Sequence, residues 1–247
     1  MVVKSARYSS MLETVRFELE RVWTAPYLGL ILMLFIIGGP GSATPMVTQE
    51  SVFEVALSTI GGFKSLLLYL VTILTFANAF GRDIEQDVLM GELTLPLRKE
   101  IIFAVKFITN FSIILLIDFA STLLFMWIIT ASILPITVLS IVIVDALSLL
   151  LFASITILMS IVLKSRFGAV IIAITIYFLE NIMLMNVSIM ISNVNPPNLD
   201  PMYILLKLIL CGEVTVYTWS IILLHFFLPL ALLSFAFFFM KEVLQLD

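Results

Sequence analysis

The chain has 247 residues, of which 62% are hydrophobic and 12% charged, with a formal net charge of -4 at pH 7. Soluble domains are roughly half apolar and about a quarter charged, so this composition excludes an ordinary soluble domain and points to an integral membrane protein. The small charge and its scattered bases exclude nucleic acid as the partner, and the single cysteine, Cys211, excludes an intrachain disulfide.

Residues 1–26 read as a cytoplasmic interfacial helix, opened by a capping box from Ser10 to Glu13. Met11, Leu12, Val15, Leu19, Val22 and Trp23 recur at three- and four-residue steps, while Glu13, Arg16, Glu20 and Arg21 take the other side. That is the pattern of a helix lying in the membrane surface. Residues 27–247 then form the transmembrane domain. Its first apolar run, Tyr27 to Ile37, is short against the ~20 residues a span needs. No charge occurs between Arg21 and Glu50, however, so the span draws on both flanks. A secretory signal is a poor alternative, because its n-region would carry Glu13, Glu18 and Glu20.

Five longer apolar runs follow, at about 63–80, 103–130, 138–163, 168–192 and 219–240, which predicts an all-α protein of six transmembrane helices. Lysine and arginine placement sets the orientation. Lys4, Arg7, Arg16, Arg21, Arg82, Arg98, Lys99, Lys106, Lys164, Arg166 and Lys241 fall on one side, and only Lys64 and Lys207 on the other. Both termini are therefore expected in the cytoplasm of a multi-pass cell-membrane protein. The outer segment 193–218 is polar and proline-rich at first, then apolar from Met202 to Leu210, which is too short to span. It reads as a re-entrant or interfacial segment before the last span.

The stretch from Phe80 to Lys106 is the most charged of the chain, a cytoplasmic handle between spans two and three. Asp83, Glu85, Asp87 and Glu92 fill its first half, Leu93, Leu95 and Pro96 form a turn, and Arg98 and Lys99 follow. This order resembles the first cytoplasmic loop of type-2 ABC transporter permeases, which carries Glu-x-Gly-Thr-Leu, a leucine pair, Pro, Ser-Arg and a closing Gly-Lys. Here Asp87 stands at the family's glycine, Val88 at its threonine, and Val105 at the glycine before the closing lysine, Lys106. The amphipathic start, the six spans and the long last outer loop extend the resemblance to the whole topology.

The resemblance implies a permease subunit of an ATP-driven exporter, paired with a second permease, identical or related. Separate ABC ATPase subunits, carrying ATP and Mg, would dock on the loop 81–100. Asp83, Glu85, Asp87, Gly91, Pro96, Arg98 and Lys99 are then the expected coupling residues. The chain itself has no Gly-x-x-x-x-Gly-Lys-Ser/Thr loop, His-Glu-x-x-His helix or Gly-x-Ser-x-Gly elbow, so it is not expected to be an enzyme or to hold a cofactor.

Ionisable residues inside spans offer a second line of inference. Asp118 lies twelve residues past Lys106, ~18 Å at helical rise, near mid-membrane. There a carboxylate costs on the order of 3 kcal/mol and should face protein or water, with Ser121 and Thr122 one turn on. Glu180, with Asn181 beside it, and His225 lie further out. Asp118, Glu180 and Asn181 are expected to line a translocation route, or to be buried groups bonded between helices. Lys64 and Asp145 are placed near the outer boundary, within reach of water. Met183, Met185 and Met190 do not share one helical face, and read as packing rather than copper ligands. Two other classes stay open: an ion- or proton-coupled secondary transporter using Asp118 and Glu180, and a non-transporting scaffold subunit.

Overall fold

The computed structural model describes residues 12–20, 63–87, 99–130, 135–191 and 201–243, with scattered helical positions between 29 and 60. Most of the first expected span, the handle's centre at 88–98 with Gly91, Pro96 and Arg98, and residues 192–200 lie outside them. Helix α1 covers residues 12–20. Helix α2 runs over Phe63–Phe76 and continues through a π-helical segment, Ala77–Arg82, into Asp83–Glu85. Then come α3 (Lys99–Thr130), α4 (Pro135–Leu163), α5 (Arg166–Ile191) and the short α6 (Pro201–Cys211). Helix α7 comprises Thr218–Ile222, a π-helical Leu223–Phe227, and Leu228–Val243. No strand occurs among the described residues.

Four helices are long and apolar enough to cross a membrane: Lys64–Glu85, Lys99–Trp127, Pro135–Leu163 and Thr218–Glu242. By length and composition this is a multi-pass membrane protein. Helix α4 is the most apolar, with a mean hydropathy of 2.6, and it packs against α2, α3, α5, α6 and α7. Its buried hydroxyls at Ser154 and Thr156 donate to the carbonyls of Leu151 and Phe152 at 2.7 Å each, so these polar groups are satisfied inside the bundle. Tyr69 of α2 places its ring 4.9 Å from both Phe152 of α4 and Tyr177 of α5, which joins three helices at one point.

Helices α3 and α7 are edge elements. Only 28% and 22% of their apolar windows are covered, against 72% and 67% for α2 and α4. Thr218, Ile221, His225, Ala236 and Met240 form α7's inward stripe. Outside it Phe226, Phe227, Phe235, Phe238 and Phe239 are exposed, an apolar face that water would not tolerate and lipid would.

Helix α1 presents Leu12, Phe17 and Leu19 outward and turns Thr14 and Glu18 inward, while Arg16 and Glu20 pair on its surface at 2.8 Å. At the other side of the bundle α6, too short to span, ends at Gly212 with φ +68°. Gly212 donates to Leu208 O at 3.1 Å, an αL cap that turns the chain toward α7.

One close approach fixes the lower end of α2. A Cβ on Gly81, within the π-helical segment, would lie 2.8 Å from Arg166 Cα and 3.0 Å from Arg166 N. The absence of a side chain therefore lets α2 touch the α4–α5 turn. In that turn Lys164 takes φ 48°, and Ser165 Oγ caps α5 by accepting the Gly168 N–H at 3.3 Å.

Candidate functional site

Two lysine-centred clusters sit on the seam between α2 and α3. The first lies at the base of the handle. Lys106 of α3, fully buried, donates to Glu18 Oε1 of α1 at 2.9 Å, to Asp83 Oδ2 at the end of α2, and to Ala79 O at 3.4 Å. Asn110, one turn on, donates to Glu18 Oε2 at 2.9 Å. Glu18 and Asp83 are both 0% exposed. Charged hydrogen bonds in so dry a site are strong and costly to break from one side. The cluster thus ties the surface helix to both helices that flank the handle.

A second tie completes the base. Glu85 Oε1 accepts the backbone N–H of Arg166 at 2.6 Å, and Arg166 Nη1 donates to Asn78 Oδ1 at 3.0 Å. A carboxylate at the first residue of α5 also meets the positive end of that helix. The handle is therefore joined to the turn between α4 and α5. Asp87, just beyond, adopts φ 56°, the left-handed region that glycine enters freely and aspartate tolerates.

The second cluster is deeper. Lys64 Nζ lies 2.7 Å from Asp118 Oδ1 and 3.1 Å from Asp145 Oδ2, and donates to Thr122 Oγ1 at 2.7 Å. Lys64 and Asp145 are each 1% exposed and Asp118 is 0% exposed. This corrects the placement of Lys64 and Asp145 at the watery boundary. The reason is that buried helical positions already precede α2 in the chain. Ala56 and Ile60 are already helical and buried, and Lys64 continues their four-residue spacing. Asp118 does face protein, with Thr122 beside it as expected.

Glu180 and His225, read separately from the sequence, meet across α5 and α7 with Glu180 Oε1 3.7 Å from His225 Nε2. His225 Nδ1 sits 3.2 Å from Ile221 O. The side chain of Asn181 lies outside the described residues. Of the expected coupling residues, Asp83 is interior, Glu85 engages Arg166, and Asp87 and Lys99 flank the segment 88–98. Glu18, Asn78, Lys106 and Arg166 were not foreseen as partners. The available signal was an acid on the apolar half of an amphipathic helix, three residues after Val15 and one before Leu19.

Among the described residues no group of three or more His, Cys, Asp or Glu is arranged to hold a metal ion. A shallow groove of ≈ 330 Å³ opens between α3 and α7, lined by Glu100, Phe103, Leu230, Leu233, Ser234 and Phe237. No protein-family model matches the chain, and no curated protein matches it.

Proposed function

We propose that this chain is the transmembrane subunit of an ATP-driven ABC exporter, moved by separate ATPase subunits that carry ATP and Mg. The observation that carries the reading is the base of the handle. There Lys106 clamps Asp83 and Glu18, and Glu85 holds the first turn of α5. A force on residues 88–98 would reach α1, α2, α3 and α5 together, which is what a coupling loop requires. Asp87 lends support, since its left-handed backbone stands where the permease loop has glycine.

In this reading six spans, with both termini cytoplasmic, pair with a second permease around a central route, and α6 belongs to a re-entrant outer segment. ATP-driven closure of the ATPase pair pushes the handle and turns α2 and α3 against α4. The apolar helix faces and the apolar groove between α3 and α7 favour a lipid, hydrophobic peptide or drug-like substrate. The chain itself performs no catalysis. An ion- or proton-coupled transporter is the second reading, favoured by the charges of Lys64, Asp118 and Asp145 buried in the spans.

Transport by the purified protein in proteoliposomes, with its copurified ATPase, separates the two. ATP-dependent transport without a pH gradient is expected. Transport that needs the gradient and ignores ATP would overturn the ABC reading.

Topology gives a direct check. In a Cys211→Ser background, Val3→Cys and Gln245→Cys should react with an impermeant maleimide only after permeabilisation, whereas native Cys211, exposed at the last residue of α6, should react in intact cells. Coupling gives another. Glu85→Gln keeps an oxygen for the Arg166 N–H and should retain most substrate-stimulated ATPase activity. Glu85→Lys cannot accept that bond and should lose about tenfold, the equivalent of ~1.4 kcal/mol. Equal activity in the two variants would show that this bond transmits nothing.

A further inference from the structure

The Lys64 cluster contains more acid than its single base can balance. Two carboxylates, Asp118 and Asp145, face one ammonium, and Lys64 is their one cationic contact among the described residues. Its three N–H groups are used, one each on Asp118, Asp145 and Thr122. Thr122 Oγ1 is 3.3 Å from Asp118 Oδ1 and serves the same oxygen. The remaining oxygens, Asp118 Oδ2 and Asp145 Oδ1, are buried and have no hydrogen-bond partner, and neither has Ser148 Oγ, one turn beyond Asp145. The two carboxyl groups converge on a single nitrogen, Lys64 Nζ, from α3 and α4.

Two ionised carboxylates beside one ammonium would leave a net negative charge in a dry interior, with two oxygens unsatisfied. Both costs vanish if one carboxyl carries a proton and donates it to the other. The alternatives fit less well. A neutral Lys64 would forfeit both ion pairs, and two protonated carboxyls would leave the ammonium unbalanced.

We infer that Asp118 and Asp145 form a buried site for one exchangeable proton, shared between them and held against Lys64. The groups facing the site are Lys64 and Tyr69 from α2, Thr122 from α3 and Ser148 from α4. The Tyr69 ring packs 4.9 Å from that of Tyr177 of α5, and Glu180 of α5 faces His225 of α7. Glu180 is the least enclosed of these acids, its side chain 20% exposed. With α2, α3 and α4 packed together, water is excluded and the proton stays. Separation of these helices lets water solvate a second carboxylate, and the proton leaves to that water. The site follows from charge and geometry, and holds under either transport reading.

The test is infrared spectroscopy of the purified full-length protein in sodium-free buffer at neutral pH, with the aspartate side-chain carboxyl labelled with carbon-13. A protonated-carboxyl band in the labelled region is expected in the wild type. It should vanish in Asp118→Asn and in Asp145→Asn, because each leaves one carboxylate matched to Lys64. In Lys64→Met, where no ammonium remains, it should double. If the asparagine variants do not fold, Asp83→Asn decides: the band persists if it belongs to the Asp118–Asp145 pair. No labelled band in the wild type, a band surviving both asparagine variants, or its loss in Asp83→Asn would each overturn the proposal. So would a band abolished when sodium replaces choline, since the site would then hold a metal cation.

Discussion

Lys106→Met is expected to lower stability by about 3–5 kcal/mol, because it leaves the carboxylates of Glu18 and Asp83 buried without their shared ammonium. Thermal unfolding in detergent should show the loss as a large fall in Tm. Adding Asp83→Asn should recover part of it, since the double variant strands only Glu18, which retains Asn110. The cost of the pair should therefore be less than the sum of its parts by roughly 0.5–3 kcal/mol, as for residues in one network. Additive losses would mean that Lys106 and Asp83 act independently. The functional corollary is that α1 loosens first, so proteolysis near residue 20 should accelerate before the spans unfold.

Gly81→Val should be the second severe change, for a steric reason. Even the first carbon of a side chain would stand 2.8 Å from the backbone of Arg166, and backbone cannot move aside as a flexible side chain can. The lower end of α2 must then withdraw from the α4–α5 turn, at a cost of about 1–3 kcal/mol. Withdrawal also breaks the bonds of Glu85 and Asn78 to Arg166. In the proposed exporter, coupling should fall with Gly81→Val more than with Gly81→Ala, while the partner's basal ATPase activity is unchanged. Parallel measurement of transport and ATP hydrolysis distinguishes this from simple misfolding, which would lower both.

The helical class, the apolar runs and the inward-facing Asp118 are legible in the sequence because each depends on local periodicity or on the price of a charge in lipid. Four of the runs meet the length and hydropathy of a span in the structure. The pairing of Lys64 with Asp118 and Asp145 was not legible, although all three residues stand out among apolar neighbours. Depth measured from the end of an apolar run misplaces a lysine that buried helical positions, Ala56 and Ile60, precede at four-residue spacing. Glu18 escaped for a related reason. An amphipathic pattern says which residues avoid water, and does not say that a carboxylate among them has a lysine waiting 88 positions away. Glu85 was legible as a handle residue, but its bond to the Arg166 backbone is not, since a main-chain donor leaves no trace in side-chain chemistry.

The π-helical segment Ala77–Arg82 has a geometric consequence for the whole of α2. Lys64 and Asp83 are nineteen positions apart, which on an unbroken α-helix leaves them about 100° apart around the axis. A π turn takes in one extra residue, and so sets the later part of the helix back by about one residue's rotation, again about 100°. The two rotations cancel. Lys64 near the top and Asp83 at the bottom therefore point along the same flank, where one meets Asp118 of α3 and the other Lys106 of α3. Rewinding the segment as plain α-helix would swing Asp83 and Glu85 more than a quarter turn from their partners while Lys64 stayed in place. The segment acts as the phase-setting joint of α2: its winding decides whether the handle and the buried charges are in register on one helix or out of register.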